Sequence, residues 1–381
     1  MRNTINQKDA IFLNMNDYQS WSCDVLVIGA GPAGSTAARL AAQKGVSVIL
    51  LERREKIGLP IRCAEYIPLP VSRLVDLQAS GIMGQPVRSM HTYVNGELVK
   101  ETGTAGVMIH RDRLDQELAD LAVKAGVALK TSFQAWTFKD GKVTARGEFG
   151  PVKISCGVII GADGPSSQVA RWMGNEPKDY LIAAQVRVPL QGPLDHTRVY
   201  FLPFLSGGYG WLFPKGETAN LGVGIDPSIK KGLPEVFSKF YQERMTEGLI
   251  KDEIIGRGGG LVPVGGLNRV WKEKMILVGD AAGTCHPITG AGVGNALISG
   301  EIAGEAAAEA VRQGNFQPLQ EYEEALIGHL GPSLSYAARK RKNLIAQWNH
   351  SDFSKNIRRN WIAFKEYYHG RERGLSGSRR S

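Results

Sequence analysis

The stretch DVLVIGAGPAGSTAARLAAQKGVSVILLE, residues 24–52, constrains the fold of this chain more than any other. An apolar run of strand length meets a glycine turn, an alanine-rich helical segment follows, and a second apolar run closes a βαβ unit. Gly29, Gly31 and Gly34 stand in G-x-G-x-x-G spacing. In that context the first glycine permits a tight turn, the second lets backbone approach a pyrophosphate, and the third allows close helix–strand packing. The free N–H groups and positive dipole end of the helix then favour phosphate. Glu52 ends the second strand, where such folds place a carboxylate on a ribose diol. Ala33 in the turn and Arg53 beside Glu52 complete the expected cofactor-binding set at this end. An ordinary glycine-rich turn is the competing reading, and one such motif does not separate NAD from FAD.

The pattern changes downstream. Residues 88–102 read as short alternating strands around an Asn-Gly turn, and residues 110–126 return to helical spacing. Residues 141–149 and 152–164 read as a hairpin and a buried strand. Residues 182–225 are dominated by alternating strands, expected as an antiparallel sheet carrying a second domain. Residues 275–283 supply another buried strand, and a helix is expected from Gly292 to about Arg312 with Gly314 as its stop. Residues 319–348 and 353–368 read as helices.

Two later stretches, GADGPSS at residues 161–167 and LVGDAAGTCHPITGAG at residues 277–292, resemble the downstream fingerprints of the glutathione-reductase-like flavoproteins. The resemblance is to the branch that holds aromatic hydroxylases, halogenases and geranylgeranyl reductases. It implies an α/β fold with a glutathione-reductase-like FAD-binding Rossmann domain, an antiparallel β-sheet substrate domain and a helical C-terminal region. One FAD is implied. Asp280 matches the aspartate that holds the flavin ribitol, Arg111 matches an arginine that opens a helix and contacts the cofactor, and Asp163 is expected to shape the neighbouring turn. Gly290, Ala291 and Gly292 bring backbone amides and a helix N-terminus to where an anionic reduced flavin needs stabilising. Cys285 and His286 resemble a nucleophile with its base, but inside this fingerprint a structural thiol and a loop histidine are expected. The expected boundaries are 1–22 for a flexible N-terminal extension and 23–86, 104–176 and 270–314 for a discontinuous FAD-binding domain. Residues 87–103 and 177–269 are expected to form the substrate domain, and 315–381 a helical region with a basic tail.

GLPIRCAEYI at residues 58–67 and YGWLFPKG at residues 209–216 resemble the G-x-P-x-R-C-G-E-G and Y-x-W-x-F-P-K motifs of the geranylgeranyl reductase family. That resemblance implies hydride transfer from reduced flavin to a C=C bond of an isoprenoid or other apolar substrate, with Tyr209, Trp211 and Phe213 lining the channel. Cys63 is then the candidate donor of the accompanying proton, because a thiol of pKa about 8.5 is mostly protonated at neutral pH. Arg62 is expected on the cofactor phosphates or ordering the loop. Ala64 and Tyr66 replace glycines of the family pattern, so Tyr66 is expected beside the flavin, narrowing the channel or marking a different substrate. A flavin monooxygenase of the same fold is the alternative; the halogenase W-x-W-x-I-P pattern is absent. A second alternative is a flavoprotein that acts in maturation of a partner protein or peptide. The electron donor, NADPH, NADH or a ferredoxin-type protein, is not separated by sequence.

Composition narrows the setting. With 43% hydrophobic residues, 381 residues can bury a large core without staples. The four cysteines, Cys23, Cys63, Cys156 and Cys285, lie far apart without a C-x-x-C pair, which speaks against zinc or a disulfide framework and for a reducing cytoplasm. No metal is expected. No uninterrupted apolar run reaches the ~18 residues of a membrane span, and the polar N-terminal stretch lacks a signal-peptide core, so secretion is not expected. The formal charge of +9 is concentrated in residues 339–343, 356–360 and 371–380. Without an aromatic-rich RNA-binding signature or a zinc finger, nucleic acid is not expected. A peripheral membrane surface, a protein partner or a merely solvated helix face remain for the basic C-terminal region.

Overall fold

Strands that are apolar on both faces need cover on both faces, and the first sheet of this chain is built that way. The computed structural model describes residues 19–369 apart from 79–80, 149, 177–178, 229–231 and 350; the expected extension over 1–18 and the basic tail at 371–380 lie outside the described residues. Strands β1 (Gln19–Ile28), β2 (Val48–Leu51), β8 (Ala128–Lys130), β11 (Gly150–Gly161) and β18 (Met275–Leu277) pair in parallel in the order β18-β11-β1-β2-β8. Strands β9 (Gln134–Lys139), β10 (Lys142–Gly147) and β17 (Trp271–Lys272) extend this sheet by antiparallel pairing. Helices α1 (Pro32–Gln43) and α5 (Val293–Gln313) pack against each other and the sheet, joined by α2 (Arg111–Lys124) and α3 (Gln168–Met173). Small residues set how close α1 and α5 come: a Cβ on Gly300 would lie 2.4 Å from the Ala33 carbonyl oxygen, and one on Gly304 2.5 Å from that of Ala37. That contact is why the first helix is alanine-rich.

The second sheet has the order β16 (Gly256–Pro263), β12 (Tyr180–Pro189), β15 (Thr218–Ile225), β14 (Tyr209–Lys215), β13 (His196–Phe201), β5 (Ser89–Val94) and β6 (Glu97–Thr102). All its pairs are antiparallel except β13 with β5. The Asn95-Gly96 turn has φ of 53° and 85°, the doubly left-handed geometry of a two-residue hairpin. One face packs Leu212, Leu221 and Val223 on Phe240 of α4 (Leu233–Thr246), while Val199, Trp211 and Phe213 belong to a separate aromatic core on the other. A third, three-stranded sheet of β3 (Tyr66–Pro68), β7 (Gly106–Ile109) and β4 (Met83–Val87) was not foreshadowed, since strands this short carry little periodicity.

Helix α6 (Gln317–Ala346) bridges the two cores, with Tyr322, Leu326 and Leu330 on the parallel sheet and Tyr336, Ala337 and Leu344 on the aromatic core. Three expectations need correction. The first strand begins at Gln19, not Cys23, because residues 19–22 pair with residues 152–155 and complete the free edge of β11. The helix expected over 353–368 is two, α7 (Phe353–Asn360) and α8 (Lys365–Tyr368). The break is at Trp361, whose extended backbone (φ −106°, ψ 134°) turns its indole onto Phe201 and Tyr209. Finally, the basic run at 339–343 is not wholly solvated: Arg341 is buried and donates from Nη1 to the Gly207 carbonyl oxygen at 2.7 Å.

Candidate active site

A single cavity of about 940 Å³ is bordered by the glycine turn after β1, by the end of β2 and by the aromatic face of the second sheet. At the dinucleotide end, Gly29 has φ 106°, and a Cβ there would stand 2.3 Å from the Ala162 carbonyl oxygen. A Cβ on Gly34 would stand 1.9 Å from the Gly29 carbonyl oxygen, whereas one on Gly31 would meet nothing within 4 Å. Gly31 therefore leaves room on the cavity side, and α1 starts at Pro32 with no side-chain cap over its amides. Glu52 accepts from Ala30 N and Arg54 N, each at 3.0 Å, which holds its carboxylate at the rim. Ala33 is buried, and Arg53 and Arg62 are exposed along the cavity edge.

The Asp280 carboxylate makes no hydrogen bond among the described residues; burial pushes it up and Arg111 opposes that. It is an acceptor left free, as a polyol ligand needs. Asp163, by contrast, is taken up by Ser167 Oγ and Gln168 N, each donating at 2.5 Å, and so closes the turn into α3. Gly290, Ala291 and Gly292 form the approach to α5, which also lacks a side-chain cap. Together the open glycine, the uncapped helix ends and the unpartnered aspartate fit a dinucleotide with a polyhydroxylated arm, as FAD has. Burial raises the Cys285 thiol well above its ordinary range and lowers His286 to about 4. A thiol held protonated beside an imidazole held neutral is not an activated nucleophile.

At the other end, Tyr209, Trp211 and Phe213 border the cavity from alternate positions of β14. The Tyr209 hydroxyl donates to the Thr289 carbonyl oxygen at 2.5 Å, and burial pushes its phenol up. Trp211 Nε1 donates to Gln185 Oε1 at 3.1 Å, and Gln185 Nε2 donates to the Cys63 carbonyl oxygen at 3.0 Å. Tyr66 packs on Phe213 with ring centroids 5.8 Å apart, and its hydroxyl faces Thr104 in the exposed connection before β7. A Cβ on Gly106 would lie 2.4 Å from that ring, so the phenol fills the space a side chain there would take.

Cys63 borders the same cavity, its Sγ accepting from Glu65 N at 3.2 Å, with the charge of the Arg111 guanidinium facing it. Burial works against the charge on Arg111, but Asp115, at 3.0 and 3.1 Å, and Cys63 outweigh it and raise its pKa. Sequence reasoning missed the residues around Glu65. This carboxylate is fully buried, and its Oε2 accepts from Arg187 Nη2 at 2.7 Å, Lys215 Nζ at 2.8 Å and Asn220 Nδ2 at 2.9 Å. Oε1 accepts from Arg111 N at 3.0 Å. Burial would raise Glu65, but Lys215, Asn220 and the Arg111 amide win and hold it below the usual carboxylate range. The signal was present for two members: a glutamate in one motif and a lysine closing the other, opposite charges inside apolar stretches that must pair if buried. Arg187 and Asn220 sit in plain strands and carry none.

A family model described as the geranylgeranyl reductase catalytic domain matches residues 179–262, and one described as an NAD(P)-binding Rossmann-like domain matches residues 27–94. The digeranylgeranylglycerophospholipid reductase of Methanothrix thermoacetophila is 35% identical over 337 residues, covering 82% of this chain and 85% of that protein. The protein of the same name from Methanocaldococcus jannaschii is 32% identical over 342 residues, 81% of this chain and 85% of its own length. Among solved structures, a geranylgeranyl bacteriochlorophyll reductase-like protein from Thermoplasma acidophilum superposes with a TM-score of 0.76 at 27% identity, over 90% of this chain and 97% of that one. The flavin-dependent brominase Bmp2 gives 0.67 at 18% identity, over 88% and 92%, a likeness of fold alone.

Proposed function

This chain belongs to the geranylgeranyl reductase family of FAD-dependent oxidoreductases, and on that premise we propose that it saturates C=C bonds of an isoprenoid lipid. The observation that carries the reading is the cavity itself, which joins a dinucleotide cradle to a wall of Tyr66, Met90, Val199, Trp211 and Phe213. FAD, held there and reduced, would supply the hydride for one carbon of the double bond. The second carbon needs a proton, and Cys63, in the loop that borders the cavity, carries it at Sγ. Tyr66 and Tyr209, both held protonated by burial, act as walls and hydrogen-bonding anchors. Trp211 and Phe213 exclude water and orient the chain. Glu52, Gly31, Asp280 and the amides before α5 are the residues that would hold the cofactor, with Arg53 and Arg62 at its phosphate edge.

Anaerobically reduced holoenzyme mixed with geranylgeraniol in detergent tests the reading: the visible flavin absorbance should return as the lipid gains one H2 per reduced bond. Oxygen-dependent hydroxylation of an aromatic compound, with no lipid-dependent reoxidation, would overturn it. Electrons would arrive from NAD(P)H or a ferredoxin-type protein, separable by which of them reduces the flavin. Among the described residues no helix is long and apolar enough to cross a membrane. An apolar substrate still has to be met at a bilayer, and Arg339, Lys342, Lys355, Arg358 and Arg359 are exposed on α6 and α7 to meet an anionic one. Sedimentation with anionic but not zwitterionic vesicles, lost at high salt, is the expected result.

A further inference from the structure

The turn that carries Cys63 is tied down at every residue. The Cys63 carbonyl oxygen accepts from Gln185 Nε2 at 3.0 Å, and the Ala64 carbonyl oxygen accepts from Asn220 Nδ2 at 3.1 Å. Glu65 sits at φ 68°, a left-handed conformation that a side chain adopts only where its surroundings over-determine it. What determines it is the carboxylate, held by Lys215 of β14, Arg187 of β12 and Asn220 of β15 on one oxygen and by the first amide of α2 on the other. The same residue's own N–H is a donor on Cys63 Sγ. The Arg111 guanidinium, the charge that faces that sulfur, belongs to the residue whose amide Glu65 accepts from. The amide that bonds the thiol and the cation that faces it are therefore both placed by one carboxylate. A buried ion cluster is a poor source of stability compared with apolar packing, so its yield here is position.

We propose that Glu65 is the positioning residue for Cys63: clamped by Lys215, Arg187 and Asn220 to the substrate sheet and by its bond to the start of α2, it fixes the thiol against the cavity. The inference rests on the reading that Cys63 delivers the proton. Two variants perturb the clamp. Glu65→Gln keeps size and removes charge, and Lys215→Met removes one donor while Arg187 and Asn220 remain on the carboxylate. Visible flavin absorbance verifies a folded holoenzyme, and if Glu65→Gln does not retain FAD, Lys215→Met decides.

Peptide-resolved alkylation with iodoacetamide reads Cys63 apart from Cys23 and Cys156, whose thiols burial pushes up to about 12 and about 11. A loosened turn should raise Cys63 alkylation about tenfold, as freed access favours attack. The single-turnover rate with geranylgeraniol should fall by up to about 100-fold, the cost of a reacting group misplaced by roughly 1 Å, at an unchanged half-saturating concentration. On a Cys63→Ser background, Glu65→Gln should cost nothing further. Unchanged alkylation, or an equal loss on both backgrounds, overturns the inference. If Cys63→Ser leaves the rate untouched, the proton-delivery reading is what fails, and the alkylation result alone judges the clamp.

Discussion

Replacing Tyr66 with alanine should lengthen the apolar chain that the cavity accepts. The ring lies between Phe213 and the exposed Thr104 connection, in a position where the family motif carries glycine, and Gly106 leaves it room from behind. A phenol occupies about the space of one isoprene unit, and even a single methylene in an apolar pocket shifts discrimination by about 1–3 kcal/mol, roughly 10–200-fold. The relative kcat/KM for geranylgeraniol over farnesol, which differ by one isoprene unit, should rise within that range in Tyr66→Ala. Tyr66 is half-buried, so the stability cost should stay below the ~3–5 kcal/mol of a fully buried aromatic. Tyr66→Phe removes only the hydroxyl that faces Thr104 and should leave the preference alone. The assay is competition between the two alcohols for anaerobically reduced enzyme, with products quantified by mass. An unchanged ratio in FAD-loaded Tyr66→Ala would refute the view that this ring limits the channel.

Further outcomes follow from the same contacts. His286 is held down at about 4 by burial, so below its ordinary value of about 6.5 the unfolded chain takes up a proton before the folded one does. Unfolding free energy should therefore fall as pH drops from about 6.5 to about 4, by up to about 3 kcal/mol; urea titrations across that window should flatten in His286→Asn. Trp361→Ala removes a 2%-exposed indole packed on Phe201 and Tyr209 and should cost about 3–5 kcal/mol by urea denaturation, against a negligible change if the C-terminal helices pack independently. Gly31→Val and Gly34→Ala should part company. The first has open space and should give folded, FAD-free protein, while the second drives a Cβ into the Gly29 carbonyl oxygen and should lose soluble expression; FAD-to-protein absorbance ratios separate the two.

Where a local pattern and a tertiary requirement coincide, the elements were legible. The βαβ unit over 24–52 is one case, because an apolar run, a glycine spacing and an alanine-rich helix each answer to a neighbour within the same segment. The alternating residues of β12 to β15 are another. The three-stranded sheet is the opposite case: β3 and β7 are 3 and 4 residues long and pair across about forty residues of chain, so no window contains their reason for existing. The break at Trp361 likewise depends on an aromatic pocket made by β13 and β14, which helical spacing over 353–368 does not reveal.

The same distinction governs the site. Gly29, Gly31, Gly34 and Glu52 act within one turn and are readable together, whereas Glu65 meets Arg187, Lys215 and Asn220 across separations of 122, 150 and 155 residues. Each motif shows one half of an ion pair, and a half alone looks like a surface charge. Burial turns the pair into a constraint: a carboxylate with no water needs its donors in place, so the loop bearing Cys63 and the strand bearing Trp211 have one mutual position in which Glu65 is satisfied. That ties the thiol at the cofactor side to the aromatic wall at the substrate side. It also explains how Tyr66 can replace a glycine one residue later without loosening the turn, since the adjoining carboxylate, not the residue at 66, holds the backbone there.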